Sequence, residues 1–278
     1  MNTNTTSWLG RNSISVYFIL TYAISWTVWF PIVLSAQGLV DWQVPYALYY
    51  LGSFGPMVSA LIITALTVGR QGLRDLLGRL LKWRVGWTYY AFAILAPFAF
   101  FGVAVLVNRL VTGVWPDLSL LGEADYLPYL SPLGVLGVWL LTYGLGEETG
   151  WRGFALPHLQ RTRTAASATL VLGLLWGCWH LPAFFFRDTY VEMGLWFFPI
   201  FLFSIVFAAM VFTWLYNSTA GSLLMVVIFH AIFNWVSVSE AGGQFAPILT
   251  SALVIAWALY VVRRYGPDNA SPLRKQVL

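Results

Sequence analysis

Two adjacent acids and a base stand at the end of a long apolar run in "TYGLGEETGWRG" (142–153). Glu147 and Glu148 touch in sequence, and Arg152 follows Glu148 by four positions. On a helix that spacing, acid first, is the favourable order for an ion pair. Arg152 can therefore keep one carboxylate ionised at a depth where burial favours the neutral acid. Glu147 points about 100° away around an α-helix, so the two acids can do different work: one pairs and one faces a cavity. Two further apolar runs carry polar groups at the same helical spacing. Trp176 and His180 are four apart, as are His230 and Asn234. A carboxylate with an imidazole can activate water as a general base. A second imidazole and an amide can donate to a developing oxyanion. Together these groups are what hydrolysis of a carbonyl compound needs.

Each group also has a plainer reading. The Glu148–Arg152 pair can be structural, Asn234 can be a bridge between helices, and Trp176 can be packing. His158, after the first motif, reads as an interfacial residue without chemistry. His180 and His230 are two of only three histidines in the chain, and their coincidence with a Glu-Glu pair favours function.

The surroundings of these groups are lipid-like. The chain has 278 residues, 59% hydrophobic and 9% charged, against about 25% charged in soluble domains. An ionisable group inside a span costs about 2.5–3.5 kcal/mol on insertion scales, so those that remain face a cavity or a partner. The net charge of +4 is spread over several loops and is no nucleic-acid signal. A lone cysteine, Cys178, excludes a disulfide-stapled fold.

A span needs about 20 apolar residues. Runs free of charge predict an all-α, polytopic membrane protein of about eight transmembrane helices, near 14–35, 47–68, 88–111, 131–150, 167–186, 195–216, 220–238 and 245–263. The polar turn "YNSTAGS" (216–222) divides the sixth from the seventh. A single integral membrane domain, 1–278, is expected, with 131–240 as its motif-bearing core. The stretch 72–87 is basic and amphipathic, an interfacial helix at anionic headgroups. The polar tail 265–278 carries no lipidation signal and is expected to fray.

Basic residues set the orientation. With the amino end cytosolic, 13 of the 15 basic residues lie on that side: Arg11, Arg70, Arg74, Arg79, Lys82, Arg84, Arg152, Arg161, Arg163, Arg263, Arg264, Arg274 and Lys275. Arg109 and Arg187 fall outside, with the acids Asp41, Asp117, Glu123, Asp125, Asp188, Glu192 and Glu240. Both termini are thus expected in the cytosol. If the chain reverses near Arg163, Glu147 and His180 each lie roughly 25 Å along from that reversal. The three motifs can then meet on the cytosolic side, in a cavity opening to the cytosol.

"EETGWRG", "WGCWH" and "HAIFN" resemble, in this order and on separate runs, the three signature motifs of the CPBP family, the CAAX prenyl proteases and bacteriocin-processing (Abi) proteins. The pattern is Glu-Glu-x-x-x-Arg, aromatic-x-x-x-His, His-x-x-x-Asn. The resemblance covers residues 131–240, and Trp176 stands where the pattern usually has Phe. It implies an intramembrane endopeptidase, with Glu147 the general base on water and Glu148 and Arg152 in support. His180 would assist water activation, His230 and Asn234 would hold the oxyanion, and Trp176 would shape the substrate pocket. No cofactor is required by this reading. If zinc is used, His180, His230 and Glu147 are the residues to hold it, with an open position for water. The expected partners are membrane lipid and a peptide or protein substrate, prenylated or otherwise membrane-associated, with no nucleic acid. Two other readings stand beside it. One is a non-catalytic immunity or peptide-binding protein of the same fold, and the other is a transporter or proton relay, which the lack of an internal repeat disfavours.

Overall fold

The structure, a computed structural model, describes residues 7–124, 126–237, 240–243 and 245–278; Asp125, counted above among the outer acids, and the side chain of Glu240 lie outside this description. Among the described residues, nine helices organise the fold: α1 (Ser13–Ala36), α2 (Tyr46–Thr67), α3 (Gly69–Leu80), α4 (Trp87–Thr112), α5 (132–160), α6 (Ala165–Phe185), α7 (Leu195–Ser218), α8 (Leu223–Ser237) and α9 (Ala246–Tyr265). No strand occurs among the described residues. Six of these helices, α1, α2, α4, α6, α7 and α9, are long and apolar enough to span a membrane, and α8 is a shorter apolar helix. The molecule is a polytopic all-α membrane protein.

The fourth expected span, 131–150, is α5, and it differs from the sequence reading. It was expected to end near residue 150 but stays helical to Gln160. Every residue from Gly146 to Pro157 is buried, so neighbouring helices rather than lipid decide where this helix stops. α3 is the amphipathic segment, with Leu76 buried beneath it.

Helix association within a membrane gains little from apolar burial and depends on close packing. Glycines at two positions of α5 show how close. A Cβ on Gly146 would stand 2.7 Å from the backbone oxygen of Ser53, and one on Gly150 would stand 2.4 Å from Cβ of Pro56. Only a hydrogen at these positions lets α5 lie directly against α2. Trp29, Trp139, Trp151 and Trp179 fill the centre and are fully buried.

The two ends of the bundle are built differently. At one end the reversals 68–86, 160–165 and 217–222 are bound to each other and to the carboxyl tail. Arg79 Nη1 donates to Tyr216 Oη at 2.8 Å, and Lys82 Nζ donates to the carbonyl of Ala220 at 2.7 Å. The tail does not fray. The amides of Ala165 and Ala166 donate to the carbonyls of Asp268 and Pro267. Asn217 Nδ2 donates to the carbonyl of Asn269 at 3.0 Å, Gln160 Nε2 to that of Gln276 at 2.7 Å, and Lys275 Nζ to that of Arg163. The tail is polar because it supplies the caps for three helix ends, not because it is loose. Of the 13 residues assigned to this end by sequence, ten belong to these turns, the tail or the short amino-terminal helix, Arg263 and Arg264 stand in the last turn of α9, and Arg152 instead lies fully buried within the bundle.

The other end gathers the loop residues 37–45, 113–124, 126–131 and 186–195. Gln37 Nε2 donates to the carbonyl of Phe185 at 2.7 Å, and Trp235 Nε1 to that of Pro132 at 2.9 Å. Asp117 sits here, its carboxyl held below the usual carboxylate range by hydrogen bonds from the Ser119 hydroxyl and amide.

Candidate active site

α5 is not a uniform α-helix where the acids lie. Residues Leu140–Glu147 and Trp151–Ala155 are π-helical, with a single α-turn, Glu148–Gly150, between them. Such widened turns recur at functional sites because they re-aim side chains without breaking the helix. Here the turn separates the two acids: Glu147 lines a cavity, and Glu148 does not.

Glu148 is wholly buried and serves two partners. Arg152 Nη1 lies 2.8 Å from its Oε1 and 3.1 Å from its Oε2. His230 Nδ1 lies 2.8 Å from the same Oε1. The guanidinium also stacks over the rings of Trp176 (4.5 Å) and Phe212 (4.3 Å). Arg152 Nε and Nη2 have no hydrogen-bond partner among the described residues, so these ring faces are the counterpart of its remaining edge. A carboxylate held by Arg152 accepts from His230, which puts the proton on Nδ1 and leaves Nε2 as the second functional nitrogen. The ring is then fixed by Tyr143, Trp176 and Phe212, with centroids 6.0, 5.6 and 5.0 Å away.

Glu147 is almost wholly buried, and its Oε2 accepts from Trp176 Nε1 at 2.8 Å. His180 follows the last α-helical residue of α6, Trp179, where the chain tightens into the 3₁₀ turn Leu181–Phe185. Its Nδ1 is 2.8 Å from the carbonyl oxygen of Trp176. A carbonyl only accepts, so Nδ1 carries the hydrogen and Nε2 keeps a lone pair. Trp176 thus orients both neighbours, the acid through its indole and the histidine through its backbone.

Glu147, Trp176, His180, His230 and Asn234 line one cavity of about 110 Å³. A water needs roughly 10–15 Å³ by the same kind of measure, so several fit. The sequence-nominated residues therefore converge, with Glu148 and Arg152 behind the wall. Asn234 makes no side-chain hydrogen bond among the described residues. His158 lies apart, its Nδ1 2.8 Å from the carbonyl of Phe154.

Residues that sequence reading passed over complete the lining, among them Tyr49, Tyr143, Arg187, Tyr190 and Phe212. Tyr143 was findable, four positions before Glu147. Arg187 was assigned to an outer loop, yet it is buried, with its guanidinium 5.2 Å from the Tyr49 ring and 5.4 Å from that of Tyr190. The cavity lining extends to Arg187 and Tyr190, in the segment that follows the 3₁₀ turn after His180.

No group of three His, Cys, Asp or Glu among the described residues is arranged to hold a metal ion. His180, His230 and Glu147 share the cavity but do not form such a cluster. One nitrogen of each histidine is already committed, to Trp176 and to Glu148.

Residues 128–236 match the family model described as type II CAAX prenyl endopeptidase Rce1-like. The chain is also similar to the CAAX prenyl protease 2 of Methanococcus maripaludis, 23% identical over 230 residues, which cover 79% of this chain and 82% of the relative. The family match spans the three motif-bearing helices α5, α6 and α8.

Proposed function

On the premise that this motif-bearing core is of the CPBP family of intramembrane proteases, to whose Rce1-like branch it is matched, we propose that the chain is an intramembrane endopeptidase that hydrolyses a peptide bond with Glu147-activated water. One observation carries the reading. A carboxylate, two imidazoles and an amide, drawn from three separate helices, line one cavity large enough for water. In this scheme Glu147 takes a proton from water, and the oxygen attacks the scissile carbonyl carbon. His180 Nε2 accepts from the same water. Asn234 Nδ2, and His230 through Nε2 when that nitrogen is protonated, donate to the oxygen of the tetrahedral intermediate. Collapse breaks the C–N bond, and Glu147 returns the proton to the departing amine. Glu148 and Arg152 act at one remove by fixing the His230 ring. No step requires zinc.

The test uses detergent-purified protein and a panel of prenylated and plain peptides, with and without a chelator. Cleavage is expected to survive the chelator. Glu147→Gln is expected to lower kcat by about 10³-fold, within the range for loss of a general base, with an unchanged melting temperature. Full activity in that variant, or its loss with chelator alone, refutes the mechanism.

A further inference from the structure

A hollow of about 380 Å³ lies at the basic end, where α1 begins and α5 turns into α6, and shares no residue with the Glu147 cavity. Tyr17, one turn into α1, packs on Trp151 and Phe154 of α5 with ring centroids 5.9 and 4.8 Å apart, which sets the start of α1 beside the end of α5. Arg11, Arg161 and Arg163 line the hollow with His158, Ser13 and Thr162, and no Asp or Glu stands among its lining residues. α1 starts there, so the positive end of its helix dipole adds to the three guanidiniums. Other basic side chains of this end are occupied within the fold, Arg79 on Tyr216 and Lys82 on the carbonyl of Ala220. Arg161 is exposed and makes no side-chain hydrogen bond or ion pair among the described residues, and Arg163 reaches only the Thr162 hydroxyl, at 3.3 Å. Like charges gathered without a counter-charge repel, and an anion between them removes the repulsion.

His158 narrows the choice of anion. Its Nδ1 donates to the carbonyl of Phe154 at 2.8 Å, which leaves Nε2 as the second functional nitrogen of the ring. A phosphate monoester carries about −1.5 to −2 charges at pH 7 and loses its second proton at about pH 6. One proton can then sit between the phosphate and Nε2, carried by either. A phosphate diester has no such proton to share. The setting narrows the source. The apolar runs of α1 and α6 begin at Ser13 and Ala165, so the hollow stands at headgroup level. Trp8, 65% exposed on the short helix before α1, is of the type that anchors at that level. Ile14 and Leu159 give the hollow an apolar wall, and basic pockets between membrane helices are known to hold lipid headgroups. We infer that this hollow binds the phosphate monoester headgroup of an anionic lipid, which clamps the start of α1 to the turn between α5 and α6. The inference does not depend on the peptidase reading.

The full chain is placed in nanodiscs of phosphatidylcholine alone, with phosphatidic acid (a monoester), or with an equal fraction of phosphatidylglycerol (a diester). Phosphatidic acid is expected to raise the melting temperature by at least about 2 °C more than phosphatidylglycerol does. In the Arg161→Gln, Arg163→Gln double variant that difference is expected to vanish. Arg84→Gln, which removes an exposed arginine outside the hollow, is expected to keep it. The readout is a difference between two lipids within one protein, so an altered basal melting temperature does not disturb it. If the double variant does not fold, Arg161→Gln alone is expected to lower the difference. Equal melting in the two lipids, a difference that survives the arginine changes, or one lost equally in Arg84→Gln overturns the site. Inorganic phosphate added to the phosphatidylcholine discs is expected to give no shift. A shift as large as that from phosphatidic acid, and lost in the double variant, overturns the lipid as the source and makes a soluble phosphate the ligand.

Discussion

α4 and α5 are apolar helices of one bundle with opposite surroundings. α4 turns Leu95, Leu106 and Leu110 outward, Leu110 82% exposed, and a side chain added at Gly102 would meet nothing within 4 Å. α5 is enclosed from Gly146 to Pro157, and side chains at Gly146 or Gly150 would collide with α2. The same residue type is incidental in one helix and required in the other. An outer helix has to satisfy only a solvent of lipid, and many sequences do so. An enclosed helix has to satisfy particular neighbours, and there polar groups are retained because partners were built around them.

That contrast can be broken most severely at Arg152. Arg152→Ala leaves Glu148 and His230 buried without their cation, a loss of about 3–5 kcal/mol when one partner of a buried pair is removed. A large drop in melting temperature in detergent, with activity abolished, is expected; an Arg152→Ala protein as stable as the parent shows the pair to be dispensable. Gly150→Ala overpacks the α2 contact and is expected to cost about 1–3 kcal/mol, read by thermal unfolding. Trp176→Phe restores the residue usual in the family pattern and deletes the N–H that binds Glu147. A hydrogen bond to a charged group contributes about 1.5–3 kcal/mol to stability, so the melting temperature should drop and kcat should fall about tenfold or more while KM holds. A change confined to KM would instead mark Trp176 as a substrate contact. Gly102→Ala is the smallest and sharpest control: as a helix-interior Gly→Ala change with open space it is expected to stabilise by up to about 1 kcal/mol, measured beside Gly150→Ala in the same assay.

Much of this organisation was legible beforehand. Charge-free runs marked the apolar helices because a charge inside lipid is costly wherever it falls. The polar exceptions, Glu147, Glu148, His180 and His230, stood out for the same reason, and four-residue spacing paired Glu148 with Arg152 correctly. What escaped depends on neighbours distant in sequence. Arg187 reads as a loop residue because nothing local announces that Tyr49, 138 positions earlier, will cover it. Phe212 is one phenylalanine among 20, and only its place over Arg152 distinguishes it. The π-turns of α5 also leave no local mark, since the glycines that permit them serve equally well in loops.

The fastened carboxyl tail limits how the bundle can move. Helices bound together at one end, as α5, α6 and α7 are through Gln160, Ala165 and Asn217, can splay only at the other. The stretch 266–278 is thereby a clasp that holds three helix ends in fixed relation, so loosening it should be felt along α5, α6 and α7 together.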